Sequence, residues 1–298
     1  MRLCRFDGDC GARLGLLEGD AVFDISAAAP ELPAEPAAAL AALGDTAALD
    51  ALAAESGEGM PLDGVRLLSP ARPRKYLAIA LNYTDHIEEI GLEAPDVPTF
   101  FNKQSTCVIG PGAGIHMPKV SNRLDYEGEL AIVIGRRCRH VAVEDAPAVI
   151  AGYTIANDVS VRDWQMRART MTIGKSFDTH GPLGPWLVTG EELGDPQKLR
   201  IRTFVNDEQR QDGSTADMVF DCAQQVSHLS QAFTLEPGDV IATGTPAGIG
   251  ATMQPFPEGL LGVGDVVRIE IDGIGELRNE VVAEPDDYLA PDAYDQRR

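Results

Sequence analysis

The sequence predicts an α+β fold that is mainly β. Three observations lead there. Short runs of branched and aromatic apolar residues recur along the chain, bounded by Gly, Pro, Asn and Asp. Some of these runs face each other across turn residues as hairpins. No β-α-β alternation and no internal repeat is visible, so strands outnumber helices without a crossover pattern.

The elements follow in chain order. Leu14–Leu17 and Ala21–Ile25 flank Glu18-Gly19-Asp20 as a hairpin. In the Ala- and Pro-rich stretch that follows, Pro36 is placed to open one short helix and Thr46 to cap a second carrying Leu49 and Leu52. These pieces make residues 1–70 a small N-terminal domain, closed by the Pro-fixed Ser69-Pro70-Ala71-Arg72-Pro73, with 71–298 as the main domain. Tyr76–Leu81 reads as a buried strand. It runs into a short helix in which Asp85 and Glu88 fit a capping box and Gly91 a stop signal. Phe100–Lys103 is a further strand, and Gly110–Gly114 a loop. Val141–Ala151 reads as a helix, Tyr153–Asn157 as a strand, and Ser160 as the cap of a helical segment over 161–167. Gly181-Pro182-Leu183-Gly184-Pro185 reads as a rigid turn. Leu199–Val205 is a strand, Asp221 and Gln224 form a capping box for a helix to Phe233, and Val266–Val282 is a second hairpin around Asp272-Gly273. The tail from Pro285 is polar and poorly packed in this reading.

Composition narrows the function. The 298 residues carry a formal net charge of −21, with acidic groups spread along the chain. That balance argues against nucleic acid and against anionic membranes, both of which require a basic surface. No apolar run is long enough to cross a bilayer, and the N-terminus lacks the apolar stretch of a secretory signal. The five cysteines are scattered without a C-x-x-C, which reads as reduced, cytosolic thiols.

The informative stretch is Asp125-Tyr126-Glu127-Gly128-Glu129-Leu130-Ala131-Ile132-Val133-Ile134-Gly135. Side chains alternate along a strand, so Glu127 and Glu129 share a face. Two such carboxylates belong either to a wet strand face or to a divalent cation with oxygen ligands. Asp158, at the end of the Tyr153–Asn157 strand, is placed to complete the second arrangement. His86 and Glu89, three apart on a helix, also share a face. A carboxylate beside an imidazole fixes its tautomer and makes a general base for water, although an exposed helix pair has the same spacing. Gly174-Lys175-Ser176 invites a phosphate-loop reading. That reading fails because the earlier glycine it requires falls at Arg169, which leaves Lys175 as a fixed cation. The loop Gly244–Gly250 after a strand offers backbone N–H groups to an anion.

Taken together, five stretches in series resemble the fumarylacetoacetate hydrolase family over residues 71–283. They are Asn82-Tyr83-x-Asp85-His86-x-x-Glu89, Asp125-Tyr126-Glu127-x-Glu129-Leu130, Gly152-Tyr153 through Asn157-Asp158-x-Ser160-x-Arg162-Asp163-x-Gln165, Gly174-Lys175-Ser176-Phe177-Asp178, and Gly244-Thr245-Pro246-x-Gly248. The N-terminal hairpin resembles the short extra domain of bacterial members. The resemblance implies a mixed β-sandwich roll, a homodimer, a cytoplasmic small-molecule enzyme, and Mg²⁺ or Mn²⁺ held by Glu127, Glu129 and Asp158. By it His86 and Glu89 activate water on a lid segment, and Lys175 meets developing charge. Gln165, Arg162, Thr245 and Tyr83 then bind substrate. Where longer members have a further acidic ligand this chain has Asn82. That departure points to the smaller branch acting on acylpyruvates, including products of aromatic breakdown.

The expected reaction is hydrolysis of a carbon–carbon bond in a 2,4-diketo acid. The alternative is decarboxylation, tautomerisation or isomerisation of a related 2-keto acid by the same electron sink. A non-enzymatic scaffold would break the acid set or lack the lysine, and this sequence has both. Arg167, Arg169 and Trp164 are candidates for reading the acyl end, with solvent exposure as their ordinary explanation.

Overall fold

The computed structural model describes residues 1–286. The fold is mainly β, with a mixed principal sheet and a small N-terminal domain, as the sequence predicts. Strands of that sheet lie in the order Met60–Pro61, Ala21–Asp24, Gly11–Glu18, Arg2–Gly8, Gly181–Val188, Ile150–Asn157, Gly128–Ile134, Val240–Ala242, Tyr76–Ala80 and Thr99–Lys103. The N-terminal hairpin is therefore not a separate sheet. Arg2–Gly8, a strand the sequence reading missed, pairs Leu3 with Leu187 and joins the two parts edge to edge. A five-stranded sheet, from Glu208–Ser214 through Arg200–Val205, Val266–Ile271 and Gly275–Ala283 to Ile115–Met117, completes the architecture.

The central strand Gly128–Ile134 explains why the core is organised around it. All of its residues are buried, as expected of a strand with a neighbour on each side and layers above and below. Leu130, Ile132 and Ile134 enter one core cluster with Ile155, Ile201 and Ile269. Ala131 and Val133 face the other way, toward Tyr76, Ala78, Phe101 and Leu183. Glu129 shares this second direction, so its carboxylate starts from the inside of the sheet.

That sheet must curl. Lys103, on the strand at the end of the order, reaches Asp158, just past the strand Ile150–Asn157, with Nζ 2.5 Å from Oδ1. Four strand steps across a flat sheet come to about 19 Å, beyond any lysine side chain.

Several local expectations are corrected. Thr46 makes no capping bond, and the Asp45 carboxylate accepts from Ala47 N–H instead. The expected helix over 141–151 is a 3₁₀ segment, Val143–Val149, interrupted by Pro147, and the strand begins already at Ile150. Ser160 lies in a two-residue strand opposite Asp125 and caps nothing; the helix after it is only Arg162–Gln165. The expected turn at 181–185 is the strand Gly181–Val188, whose pairing with Ile150–Asn157 shifts register where the prolines remove donors. The capping box at Asp221 and Gln224 is present as read. The described cysteines are free. Most of the polar tail lies outside the described residues, and no single described helix is long and apolar enough to cross a membrane.

Candidate active site and metal centre

Strand register brings the three acids together. Gly128 pairs with Asn157, so Glu127 and Asp158 are adjacent just beyond the pair, and Asp158 N–H donates to Glu127 O at 2.9 Å. One ligand atom from each of Glu127, Glu129 and Asp158 can be chosen so that all lie within 4.8 Å of one another. Two opposite ligands of an octahedral ion with bonds of about 2.1 Å are about 4.2 Å apart, so the span suits one hard cation. All three side chains are buried, with Asp158 at 0% exposure. Three hard carboxylate oxygens suit Mg²⁺ or Mn²⁺.

Cations surround the acids without balancing them. Lys175 Nζ lies 2.7 Å from Glu127 Oε2 and 2.8 Å from Asp158 Oδ2. Lys103 donates to Asp158 Oδ1 and to the Lys175 carbonyl. Arg162 bridges Asp125 and Glu127, at 2.8 and 2.7 Å, and donates to Gln165 Oε1 at 2.9 Å. Counting Asp125, the site sets four carboxylates against Lys103, Arg162 and Lys175, one negative charge in excess.

The excess falls on Glu129. Burial raises its carboxyl well above the usual range, and Asp158 and Glu127 push in the same direction. Burial also works to raise Glu127, but Lys175 and Arg162 overcome it and hold that carboxyl well below its ordinary value. Burial opposes the charge on Lys175, yet Asp158 and Glu127 outweigh it and keep the ammonium protonated. Among the described residues, the Glu129 carboxylate accepts a single hydrogen bond, from Gly244 N–H at 2.8 Å. Gly244 sits at φ +98°, and a Cβ there would lie 2.8 Å from Asn82 Cβ, so the loop needs glycine to reach Glu129.

The helix Thr84–Ile90 docks on that same loop. Leu81, at φ +55°, turns the chain out of the strand Tyr76–Ala80 into the helix Thr84–Ile90. Asp85 is inside the first turn rather than capping it. Its carboxylate accepts from His86 N–H at 2.7 Å and crosses to Ala247 N–H at 3.1 Å. Glu89 accepts from Gly248 N–H (3.0 Å) and the Thr252 hydroxyl (2.7 Å), while its other oxygen lies 3.2 Å from His86 Nδ1. Burial works to raise the Glu89 carboxyl, but His86, Thr252 and Gly248 together bring it below its ordinary value.

Other expected site residues lie deeper. The Asn82 amide donates to Phe220 O and Thr243 O and accepts from Phe220 N–H, which makes it a strut at the base of that helix. Tyr83 is fully buried in the larger core. The Thr245 hydroxyl donates to Gly128 O at 2.9 Å and accepts from Gln211 Nε2 at 2.8 Å, so its proton is committed to the frame. Trp164 and Arg167 stack 3.8 Å apart beside the site, and Met166, between them in the chain, is 82% exposed.

Sequence reasoning missed Lys103, Asp125 and Gln211 as parts of the site. Asp125 stood within the acidic stretch, and a strand position offset by two from Glu127 was its only signal. Gln211 accepts from Gly128 N–H and donates to Thr245 and Pro246, tying the second sheet to the acid strand, and nothing local announces it.

The comparisons agree with this geometry. The family described as fumarylacetoacetate (FAA) hydrolase C-terminal matches residues 75–282, and the one described as Rv2993c-like, N-terminal matches residues 1–70. The chain belongs to the fumarylacetoacetate hydrolase family. It is 37% identical to a fumarylacetoacetate hydrolase from Exiguobacterium antarcticum, at a TM-score of 0.83, covering 95% of this chain and 99% of that one. A 5-carboxymethyl-2-hydroxymuconate delta-isomerase from Mycobacterium smegmatis is 36% identical at a TM-score of 0.77, covering 95% and 100%. A maleylpyruvate hydrolase from Sphingobium sp. SYK-6, solved with manganese(II) and pyruvate, is 34% identical at a TM-score of 0.79, covering 95% and 99%. Members similar to this chain thus include hydrolases and isomerases of small organic acids, and the buried acidic triad together with the manganese-bound neighbour supports a divalent metal here.

Proposed function

We propose that this chain is a divalent-metal-dependent hydrolase that cleaves a carbon–carbon bond in a 2,4-diketo acid of the acylpyruvate type. The products are a carboxylic acid and pyruvate or a substituted pyruvate. The observation that carries the reading is the uncompensated Glu127–Glu129–Asp158 cluster facing a lid that holds a His86–Glu89 pair. A divalent ion in place of the Glu129 proton would leave the set with one positive charge, and a monoanionic keto acid would bring it to zero.

Glu127, Glu129 and Asp158 would hold Mg²⁺ or Mn²⁺, which when bound supplies Lewis-acid charge at the keto-acid oxygens. The chain's own residues do the rest. Glu89, kept ionised by its donors, takes the Nδ1 proton of His86 as a hydrogen bond and leaves Nε2 as the acceptor. Nε2 takes a proton from water as that water attacks the carbonyl distant from the carboxylate. Glu89 then stabilises the imidazolium, which gives that proton to the departing pyruvate carbon as the carbon–carbon bond breaks. Lys175 contributes fixed positive charge beside the departing carbon, and Arg162 holds Gln165 by its carbonyl while one amide N–H donates to Met171 Sδ, which leaves the second N–H for substrate. Thr245 acts by fixing the loop after Gly244 against Gly128 rather than through its own proton. In this reading Tyr83 supports the lid from beneath, and the working unit is a homodimer.

Incubation with acylpyruvates and Mg²⁺ or Mn²⁺ tests the reading. Diketone absorbance should fall, pyruvate should appear, and EDTA should stop both. The isomerase neighbour supports a second reading, isomerisation, tautomerisation or decarboxylation of a 2-keto acid at the same site. Product formation without water incorporation, or CO₂ release from oxaloacetate exceeding acylpyruvate turnover, would favour it.

A further inference from the structure

The protein is strongly acidic, yet one cavity outside the site just described is rimmed by arginines. It encloses about 760 Å³ where the linker after residue 65 meets the loop Gly110–Gly114. Arg66, Arg72 and Arg74 line it, with the hydroxyl residues Ser105 and Thr106 on the far wall. Arg66 is 3.6 Å from Asp7 and so is partly engaged. Arg72 and Arg74 are exposed and make no ion pair among the described residues.

More positive charge lies beneath. Arg5 is 3% exposed and donates to Ser69 O, within the same linker. Burial lowers its pKa, and the charge of Arg72 pushes in the same direction, so two guanidinium groups repel across this wall. Glu35 also lines the cavity and offsets part of the charge. With Asp7 and Glu35 counted against Arg5, Arg66, Arg72 and Arg74, two positive charges remain. The remaining wall is the glycine-rich loop Gly110–Gly114 together with the apolar residues Pro73, Val108 and Ile109. Gly110 packs so closely on the linker that a Cβ would lie 2.5 Å from Ser69 N. A small ligand therefore meets arginine forks, two hydroxyl residues and loop backbone beside a short apolar wall, and the arginine forks suit bidentate recognition of carboxylate or phosphate oxygens.

We propose that this cavity binds a small di- or trivalent anion, bearing phosphate or carboxylate groups, between Arg72 and Arg74 at the junction of the N-terminal domain with the main sheet. The cavity's concavity and volume fit a small molecule rather than a flat protein partner.

Inorganic phosphate and succinate serve as the two probes, each titrated into the metal-loaded protein at constant ionic strength balanced with NaCl. A saturable rise in Tm of about 2–4 °C with one of them, fitting one site per chain, is the expected result, and which probe gives it identifies the oxygen chemistry. The double variant Arg72→Ala/Arg74→Ala should lose at least tenfold in affinity while keeping its basal Tm and its turnover. Glu129→Gln, titrated without metal beside metal-free wild type, should respond like that wild type, which separates this cavity from the metal centre. An unchanged response in the double variant, a rise no larger than NaCl alone gives, or loss of the response in Glu129→Gln would each overturn the proposal. So would dissociation of a dimer by the double variant in sedimentation velocity, since the arginines would then be an interface between copies.

Discussion

Asp125 and Glu129 are both fully buried carboxylates on one stretch of chain, and they live under opposite conditions. Asp125 accepts from the N–H groups of Tyr126, Gly250 and Ala251 and from the Arg162 guanidinium. Its charge is solvated by the protein as thoroughly as water would do it. Glu129 accepts from Gly244 alone among the described residues and faces two further carboxylates. Removing water from a charge without replacing its partners is costly, so the first arrangement holds the fold together and the second stores electrostatic strain that a cation relieves.

Neutralising each acid in turn separates the two roles. Glu129→Gln should keep or slightly raise the Tm of the metal-free protein, because the folded state no longer has to take up a proton at this buried carboxyl. It should abolish the Tm rise produced by Mn²⁺ and lower turnover by more than about 10³-fold. Asp125→Asn should do the reverse in the metal-free protein, costing about 3–5 kcal/mol because Arg162 is left with a broken partner set. Denaturant melts of both variants, with and without Mn²⁺, check this. If Asp125→Asn proves neutral and Glu129→Gln destabilising, the assignment of frame and ligand is reversed.

Next in size is His86, the proposed base. His86→Ala should lower turnover by about 10²–10⁴-fold while the Mn²⁺-induced Tm rise stays as in wild type, since His86 contributes no ligand. Near-full turnover in this variant would transfer the reaction to the isomerase or decarboxylase class.

The acid pair was legible because strand alternation is local, and the capping box at Asp221 because it spans only three residues. Joining Asp158 to them was partly legible, since a strand end is visible but its register is not; the Gly128–Asn157 pairing is a tertiary fact. Lys103 was illegible for a stronger reason. Its partner lies four strands away, and only the curl of the sheet closes that gap. The misread Asp85 teaches the same lesson at short range. A side chain that fits a local cap puts one oxygen on His86 N–H inside the first turn and the other on Ala247 N–H, a distant partner that no local pattern shows.

The titration of Glu129 sharpens the comparison further. Its folded pKa is raised by burial and by Asp158 and Glu127, so the metal-free folded state holds a proton that the unfolded chain releases near pH 4–5. The stability this contributes is present at low pH and declines as pH rises through the folded value. A bound cation displaces that proton, so the Mn²⁺-induced Tm rise should grow with pH, and metal binding should release a proton measurable in buffers of different ionisation enthalpy. His180 contributes a slope of the other sign. Burial pushes it down to about 3, so its neutral form stabilises the fold above about pH 6.5 and that contribution fades toward acid. His180→Phe should flatten the acid limb of the stability profile, by about 1.4 kcal/mol per pH unit at most, and leave the Mn²⁺ response untouched.

The smallest effect belongs to Asp85, a carboxylate intermediate between the two extremes. It is half-buried and has two backbone donors, one on its own helix and one across the gap at Ala247. Asp85→Asn keeps an oxygen for one of them and weakens the charge-assisted bond that holds the lid to the Gly244–Gly250 loop, worth about 1–2 kcal/mol. Because this bond lies between two segments and not within the core, the Tm should hardly move. The loss should fall on the closed state of the lid, raising KM several-fold with a smaller change in kcat. If kcat instead collapses with KM unchanged, Asp85 orients His86 through the bond to its N–H rather than docking the lid, and the His86–Glu89 pair needs a third member to work.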